Sequence, residues 1–234
     1  VANKKGFDIS HWNGTVFWID VPDEYCWCYI KSTESDDFQD ELFPQHWLGA
    51  YQENKLRSPY HFWRYAKTPK ENVDNYYSYV REQGLGLGEL PPILDVEDVY
   101  APKSPWVLYE HILECLQRIE DSFQVEPWIY SAAWYWDEWV KTTRLRNYGL
   151  IVANYKTLLY PGIKPRMPKT GGWTEYKAWQ HTDKAKIPGI LGGSDGNIMP
   201  EEVFNEYSNP GPPPTTKIVK VLIPDGVEVI VEKI

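Results

Sequence analysis

Short apolar runs that stop at polar residues recur along this chain, and most are followed by a stretch with helical spacing. That alternation is what most limits the fold. Gly6 to Ser10 (GFDIS), Glu24 to Ser32 (EYCWCYIKS), Ser58 to Tyr65 (SPYHFWRY), Pro92 to Glu97, Glu126 to Ser131 (EPWIYS), Leu150 to Tyr155 (LIVANY) and Glu175 to Gln180 (EYKAWQ) read as strands. Between them, Asp36 to Lys55 sets Phe38, Leu42, Trp47, Leu48 and Tyr51 on one helical face. Pro69 to Gln83 opens with Pro69 and Glu71 and stops before Gly84, as a helix should. Ser104-Pro105 starts a third helix to about Phe123, and a Trp-rich helical segment precedes Leu150. Repeated strand–helix units predict a parallel sheet, and 234 residues are enough to close it into a TIM-like α/β barrel. The late strands lack full helices between them, so the expected fold is an irregular (β/α) barrel over residues 1–208.

The texture then changes. Residues 209–216 (NPGPPPTT) read as a Pro-rich linker of polyproline type. Residues 217–234 alternate strongly around Pro224-Asp225-Gly226, a β-hairpin signal. A lone hairpin is marginal in water, so this extension is expected to pack on the main domain or to begin a further C-terminal module.

Function is written most densely in Pro92-Ile93-Leu94-Asp95-Val96-Glu97-Asp98. A strand alternates its side chains, so Asp95 and Glu97 share a face, separated by roughly 6 to 7 Å. At that spacing each carboxylate raises the other's proton affinity, and both can flank one scissile bond. In a parallel barrel, catalytic side chains collect at the C-terminal ends of strands; acidic residues that merely cap the following loop are the competing explanation. The chain also carries 12 Trp and 17 Tyr, more than packing needs. Aromatic faces suit the C–H faces of sugar rings, and Tyr and Trp donors suit ring hydroxyls.

Composition removes other classes. With 24 basic against 33 acidic residues, net -9 and no basic block, nucleic acid is not an expected partner. No apolar run approaches the ~20 residues of a membrane span, so no membrane partner is expected. Cys26, Cys28 and Cys115 make neither a disulfide framework nor a zinc site. Val1 to Lys5 carry no signal-peptide h-region; a trimmed export signal and phage-type release through a membrane pore both fit a chain that opens this way.

Read together, several motifs resemble the glycoside hydrolase family 25 lysozymes, the Chalaropsis-type muramidases found among phage and bacterial endolysins. Gly6-Phe7-Asp8-Ile9-Ser10-His11-Trp12-Asn13-Gly14 is similar to their opening strand, Tyr29-Ile30-Lys31-Ser32-Thr33-Glu34 to the second, and Tyr60-His61-Phe62 to the third. Leu94-Asp95-Val96-Glu97 resembles their catalytic strand, and Trp179-Gln180 with Asp195-Gly196-Asn197 their closing strands. Two departures lie beside the proposed groove: Ser35, and Ser58-Pro59, stand where the family commonly has Gly.

The resemblance implies an antibacterial peptidoglycan hydrolase that cleaves the β-1,4 bond between N-acetylmuramic acid and N-acetylglucosamine. It implies bacterial peptidoglycan as the partner, action outside the cell or at the wall, a monomer, and no cofactor or metal. Carried over by position, the catalytic carboxylates are Asp8, Asp95, Glu97 and Asp195. Four carboxylates at one barrel mouth cannot all ionise cheaply. Glu97 is the expected general acid with a raised pKa, and Asp95 the group expected to stay ionised and hold a substrate acetamide, with retention; direct attack by a carboxylate on C1 is the other route that the sequence leaves open. Tyr60, Phe62, Tyr130, Tyr155 and Trp179 are the expected sugar-facing residues. Lys31 is expected to pair with a carboxylate, while His181 and Asp183 fall on an expected surface loop. His11 and His61 with Asp8 are the one set that suggests a metal, and the resemblance argues against it. A chitinase-like enzyme would need a longer DxxDxDxE-type pattern, whereas Pro92-Ile93-Leu94 precede Asp95 here, and a non-catalytic glycan-binding protein would be expected to lose Asp95 or Glu97.

Overall fold

The computed structural model describes residues 3–82, 88–155, 163–208, 217–223 and 226–232. In chain order the elements are β1 (Asn3–Ile9), β2 (Tyr25–Glu34), β3 (Phe38–Gln39), α1 (Phe43–Gln52), β4 (Leu56–Phe62), α2 (Pro69–Glu82) and β5 (Ile93–Asp95). They continue with α3 (Pro105–Phe123), β6 (Trp128–Ala132), α4 (Ala133–Tyr135, running on as a π-turn over Trp136–Val140) and β7 (Gly149–Ala153). β8 (Ala178–Ala185), β9 (Ser194–Pro200) and α5 (Glu201–Ser208) follow, and then β10 (Lys217–Ile223) and β11 (Gly226–Glu232).

The sheet runs β1-β9-β8-β7-β6-β5-β4-β2, and β1 pairs with β2 to close it into an eight-stranded barrel. From β1 through β2 and β4 to β8 every neighbour is parallel. β9 is antiparallel to both β8 and β1, a departure from the all-parallel expectation. A parallel return needs a crossover of a dozen or more residues, and residues 186–193 are too few. They turn back as a hairpin loop instead, with Gly189, Gly192 and Gly193 at positive φ.

Strand alternation divides the side chains between two cores. Ile30, Leu94, Ile129, Val152 and Trp179 point outward and pack in one cluster with helical residues such as Val73, Ile112 and Leu116. Trp27, Tyr29, Ile93, Trp128, Ile151 and Met199 form the other, inside the barrel. Gly6 belongs to that lumen: a Cβ there would lie 2.3 Å from the Trp27 ring, so only a glycine lets the indole lie flat against β1. Because β9 runs backwards, its last residues pair with the first of β1, and α5 leaves from the N-terminal end of the barrel. Val203, Phe204 and Tyr207 plug that end, leaving the opposite end open.

One helix and one strand differ from the spacing. Asp36 to Lys55 is not one helix: β3 pairs with the end of β2, and the helix waits for Phe43-Pro44. Asp40 is the cause, since its carboxylate accepts the backbone N–H groups of His11 and Leu42 at 2.8 and 3.0 Å. The strand read at Glu175 to Gln180 begins at Ala178 and runs on to Ala185. The strands β10 and β11 pair antiparallel from Lys217↔Glu232 to Ile223↔Gly226; the 209–216 segment, Gln83 and the turn at 224–225 lie outside the described residues.

Candidate active site

The open end of the barrel holds a cleft of about 390 Å³. Asp8 reaches it from the end of β1, Asp95 from the end of β5, Glu97 from the loop just beyond, and Asp195 from β9. Asp195 arrives through the reversal of β9, which puts that strand's first residues at the mouth, in register with Asp8.

Glu97 is not on a strand, as the sequence suggested, but strand-like bonding persists around it. Trp63 N donates to Asp95 O at 3.0 Å, and Val96 N to Tyr130 O at 2.8 Å. Val96 is buried outward, so Asp95 and Glu97 still face the cleft together. Asp98, the last acid of the run, is structural: it accepts from Arg64 Nη1, Tyr65 N and Tyr100 N at 3.0, 3.0 and 3.1 Å. A second shell of charge lies beside this wall. Lys31 Nζ donates to Glu34 at 2.6 Å, and Arg64 donates to the other Glu34 oxygen at 2.7 and 2.9 Å. Both cations lie over the Phe62 ring, Lys31 at 5.1 Å and Arg64 at 4.4 Å from its centroid.

All four carboxyls have raised proton affinity, chiefly from burial. Glu97 is pushed to about 7 by burial and the Asp8 charge, with Lys31 and Arg64 holding it down. Asp95 is raised well above the usual carboxylate range by burial and by Glu97. It was expected to stay ionised; burial puts it among the protonatable groups, and its Oδ1 has no hydrogen-bond partner among the described residues. Asp195 is raised to about 9 by burial and by Asp8, with which it shares a hydrogen bond that favours the proton on Asp195. Asp8 has donors that offset its burial: Asn197 Nδ2 at 2.7 Å and Gln180 Nε2 at 3.0 Å, both on Oδ2.

Among the expected sugar-facing residues, Tyr60, Phe62 and Tyr130 line the cleft. Tyr155 is exposed beside it and donates to Gln180 Oε1 at 3.0 Å, as Tyr130 does at 2.8 Å. Trp179 is a correction. It is fully buried among outward-facing core residues, with Nε1 on Asn154 O at 2.8 Å, and cannot meet a sugar. Alternation decides this: where Gln180 points in, Trp179 must point out.

Sequence reasoning passed over Gln180 and Asn197 as members of the site, and also Tyr29, Trp12 and Asp183, which line the cleft. Tyr29 was findable, since it lies two residues before Lys31 on the same strand face. Asp183 and His181 sit on β8 and not on a loop. The histidines once grouped with Asp8 are engaged elsewhere: His11 with Asp40 at 3.1 Å, His61 with Thr33 and Asn72 at 2.8 and 3.1 Å. Among the described residues no cluster of His, Cys, Asp and Glu is arranged to hold a metal ion.

Residues 7–190 match the family described as glycosyl hydrolases family 25. The chain is similar to YegX, an uncharacterized protein of Escherichia coli K12, at 25% identity over 200 residues covering 83% of this chain and 68% of that protein. It is also similar to Lysozyme M1 of Streptomyces globisporus, at 24% identity over 206 residues covering 82% and 66%. The solved bacterial lysozyme from Streptomyces coelicolor superposes with a TM-score of 0.76 over 90% of this chain and 100% of that one, at 22% identity. At that identity the likeness speaks to the fold.

Proposed function

That this chain belongs to glycosyl hydrolase family 25 is the premise from which we propose its reaction. It is a lysozyme-type glycoside hydrolase, an N-acetylmuramidase that cleaves bacterial peptidoglycan at the β-1,4 bond between N-acetylmuramic acid and N-acetylglucosamine. The observation that carries the assignment is the pair of carboxyls on one wall of the cleft, Asp95 with an unpartnered oxygen and Glu97 pushed to about 7.

An acid raised to about 7 keeps a proton to give near neutral pH, where an ordinary glutamate has lost it. It can therefore protonate a leaving glycosidic oxygen and later take a proton from water. The N–H of a sugar's 2-acetamido group is the donor that Asp95 Oδ1 lacks. Bound there, it lowers the proton affinity of Asp95 and leaves the proton of the pair on Glu97. The amide oxygen then bonds to C1 as the bond from C1 to the leaving oxygen breaks and Glu97 delivers its proton. Water, deprotonated by Glu97, opens the cyclic intermediate, and two inversions give net retention. Asp8, fixed by Gln180 and Asn197, supplies negative charge toward the developing oxocarbenium ion, and Asp195 holds the proton they share. Tyr60, Phe62 and Tyr130 offer ring faces and hydroxyls to the sugars.

The test is digestion of purified peptidoglycan by this chain and by Glu97→Gln, with mass spectrometry of the fragments. Products with reducing-end N-acetylmuramic acid from the wild type alone are expected. Reducing-end N-acetylglucosamine would move the cleaved bond, and wall binding without release would replace the enzyme with a glycan-binding protein.

A further inference from the structure

The cleft does not end at its own rim. A second groove of about 760 Å³ begins where the first stops, and the two share Asp183, Gly192 and Gly193. The ridge between them is backbone: a Cβ on Gly192 would meet nothing within 4 Å, and one on Gly193 only Ala185 O at 3.5 Å. Both glycines have positive φ, and Asn13 Nδ2 holds Gly193 O at 3.0 Å. The ridge is thus low, and it is tied to the segment that follows β1.

The chemistry changes across it. The cleft is lined by Asp8, Asp95, Glu97, Asp195 and Asp183, and among the described residues its one lining cation is Lys31, already paired to Glu34. The second groove has an apolar floor of Ile187, Pro188 and Ile190, and it carries Lys184 and Lys186. Both lysines are exposed, and neither has an ion-pair partner among the described residues. In a chain of net charge -9, two unpaired cations flanking an apolar trough next to an acidic cleft call for a ligand with small apolar groups and free carboxylates.

Resting on the muramidase reading above, we propose that this groove is a subsite for the peptide stem of the substrate. A glycan strand in the cleft carries its peptides as side branches from the lactyl group of the muramic acid. Such a stem alternates alanine methyls with acidic or diamino-acid residues, so its methyls fit the Ile187–Ile190 floor and its carboxylates meet Lys184 and Lys186. The groove makes this chain a hydrolase of peptide-bearing strands in preference to bare ones.

The experiment compares the full chain with Lys184→Ala/Lys186→Ala and Lys184→Glu/Lys186→Glu on two soluble substrates: peptide-bearing glycan strands, and the same strands stripped of peptide by an amidase. On the peptide-bearing strands at low salt, KM is expected to rise about three- to tenfold for the alanine variant and further for the glutamate variant, with kcat held. The rise should collapse at high salt, and on stripped strands the variants should match the wild type. Equal losses on both substrates, or none on the peptide-bearing one, would overturn the subsite. With intact walls as a third substrate, a loss confined to walls that keep their teichoic acids would overturn it too and reassign the lysines to that polyanion. Wild-type inactivity on both substrates would strike the muramidase reading itself.

Discussion

Asp8 and Asp95 stand at the mouth of the same barrel, the first half-buried and the second buried, and their surroundings are opposite. Asp8 receives two amide N–H donors on one oxygen. Asp95 keeps Oδ1 without a partner beside a second carboxyl. A buried carboxylate met by donors is an anchored charge, and one left unmet is an instability that a ligand can relieve. The contrast separates a group that shapes the field from one poised to react.

The sharpest attack on that comparison is to remove the acid next to Asp95. Glu97→Gln is expected to lower kcat by about 10²- to 10⁴-fold with KM little changed, measured on soluble strands; a loss confined to KM would make Glu97 a binding residue only. Next come the two isosteric changes. Asp8→Asn removes the charge that the donors of Gln180 and Asn197 meet, turning two charge-assisted hydrogen bonds into neutral ones, and should cost about 1–3 kcal/mol of stability. Asp95→Asn should instead raise Tm, while still disabling the enzyme. The sign follows from the raised affinity of Asp95: the native state keeps a proton that the unfolded chain releases, so wild-type stability falls as pH climbs above the ordinary carboxylate range. The Tm advantage of Asp95→Asn should therefore widen from pH 4 to pH 8. Melting curves in which both variants lose stability equally would erase the distinction.

Smaller effects refine it. With Glu97 at about 7, kcat/KM should fall on the alkaline side of neutrality as the acid loses its proton. Lys31→Met removes a cation that holds Glu97 down, so that limb should move to higher pH, by up to about one unit. The smallest change tests a departure beside the groove. Ser35 has φ of 56°, the left-handed region, which explains why glycine is common there. Ser35→Gly should stabilise the chain by about 0.5–1 kcal/mol without altering kcat, read as a Tm increase of a few degrees.

The barrel was legible because strand and helix periods differ and because strand ends in this chain are polar. The Asp95–Glu97 pair was legible for the same reason, even though the regular strand stops at Asp95. Trp179 misled because residue type was weighed above parity: tryptophan suits sugars, but its neighbour Gln180 faces the lumen. The reversal of β9 was hidden, since direction is set by what the connection can hold. Asp40 broke the long helix through contacts with His11, a residue far away in sequence, and no local spacing records that.

The pairing of β1 with β9 also orders events during synthesis. Asp8 is made before every other carboxylate of the cleft, and the amide that fixes it, on Asn197, lies 189 positions later. Until that late strand emerges from the ribosome and docks, the barrel has a seam, Asp8 lacks its donors and Asp195 is absent from the mouth. Such long-range closure is slow compared with local helix formation. The last strand of the barrel thus works as a delay: a nascent or interrupted chain has the acid pair but not the finished cleft, and hydrolytic competence arrives only with the completed barrel.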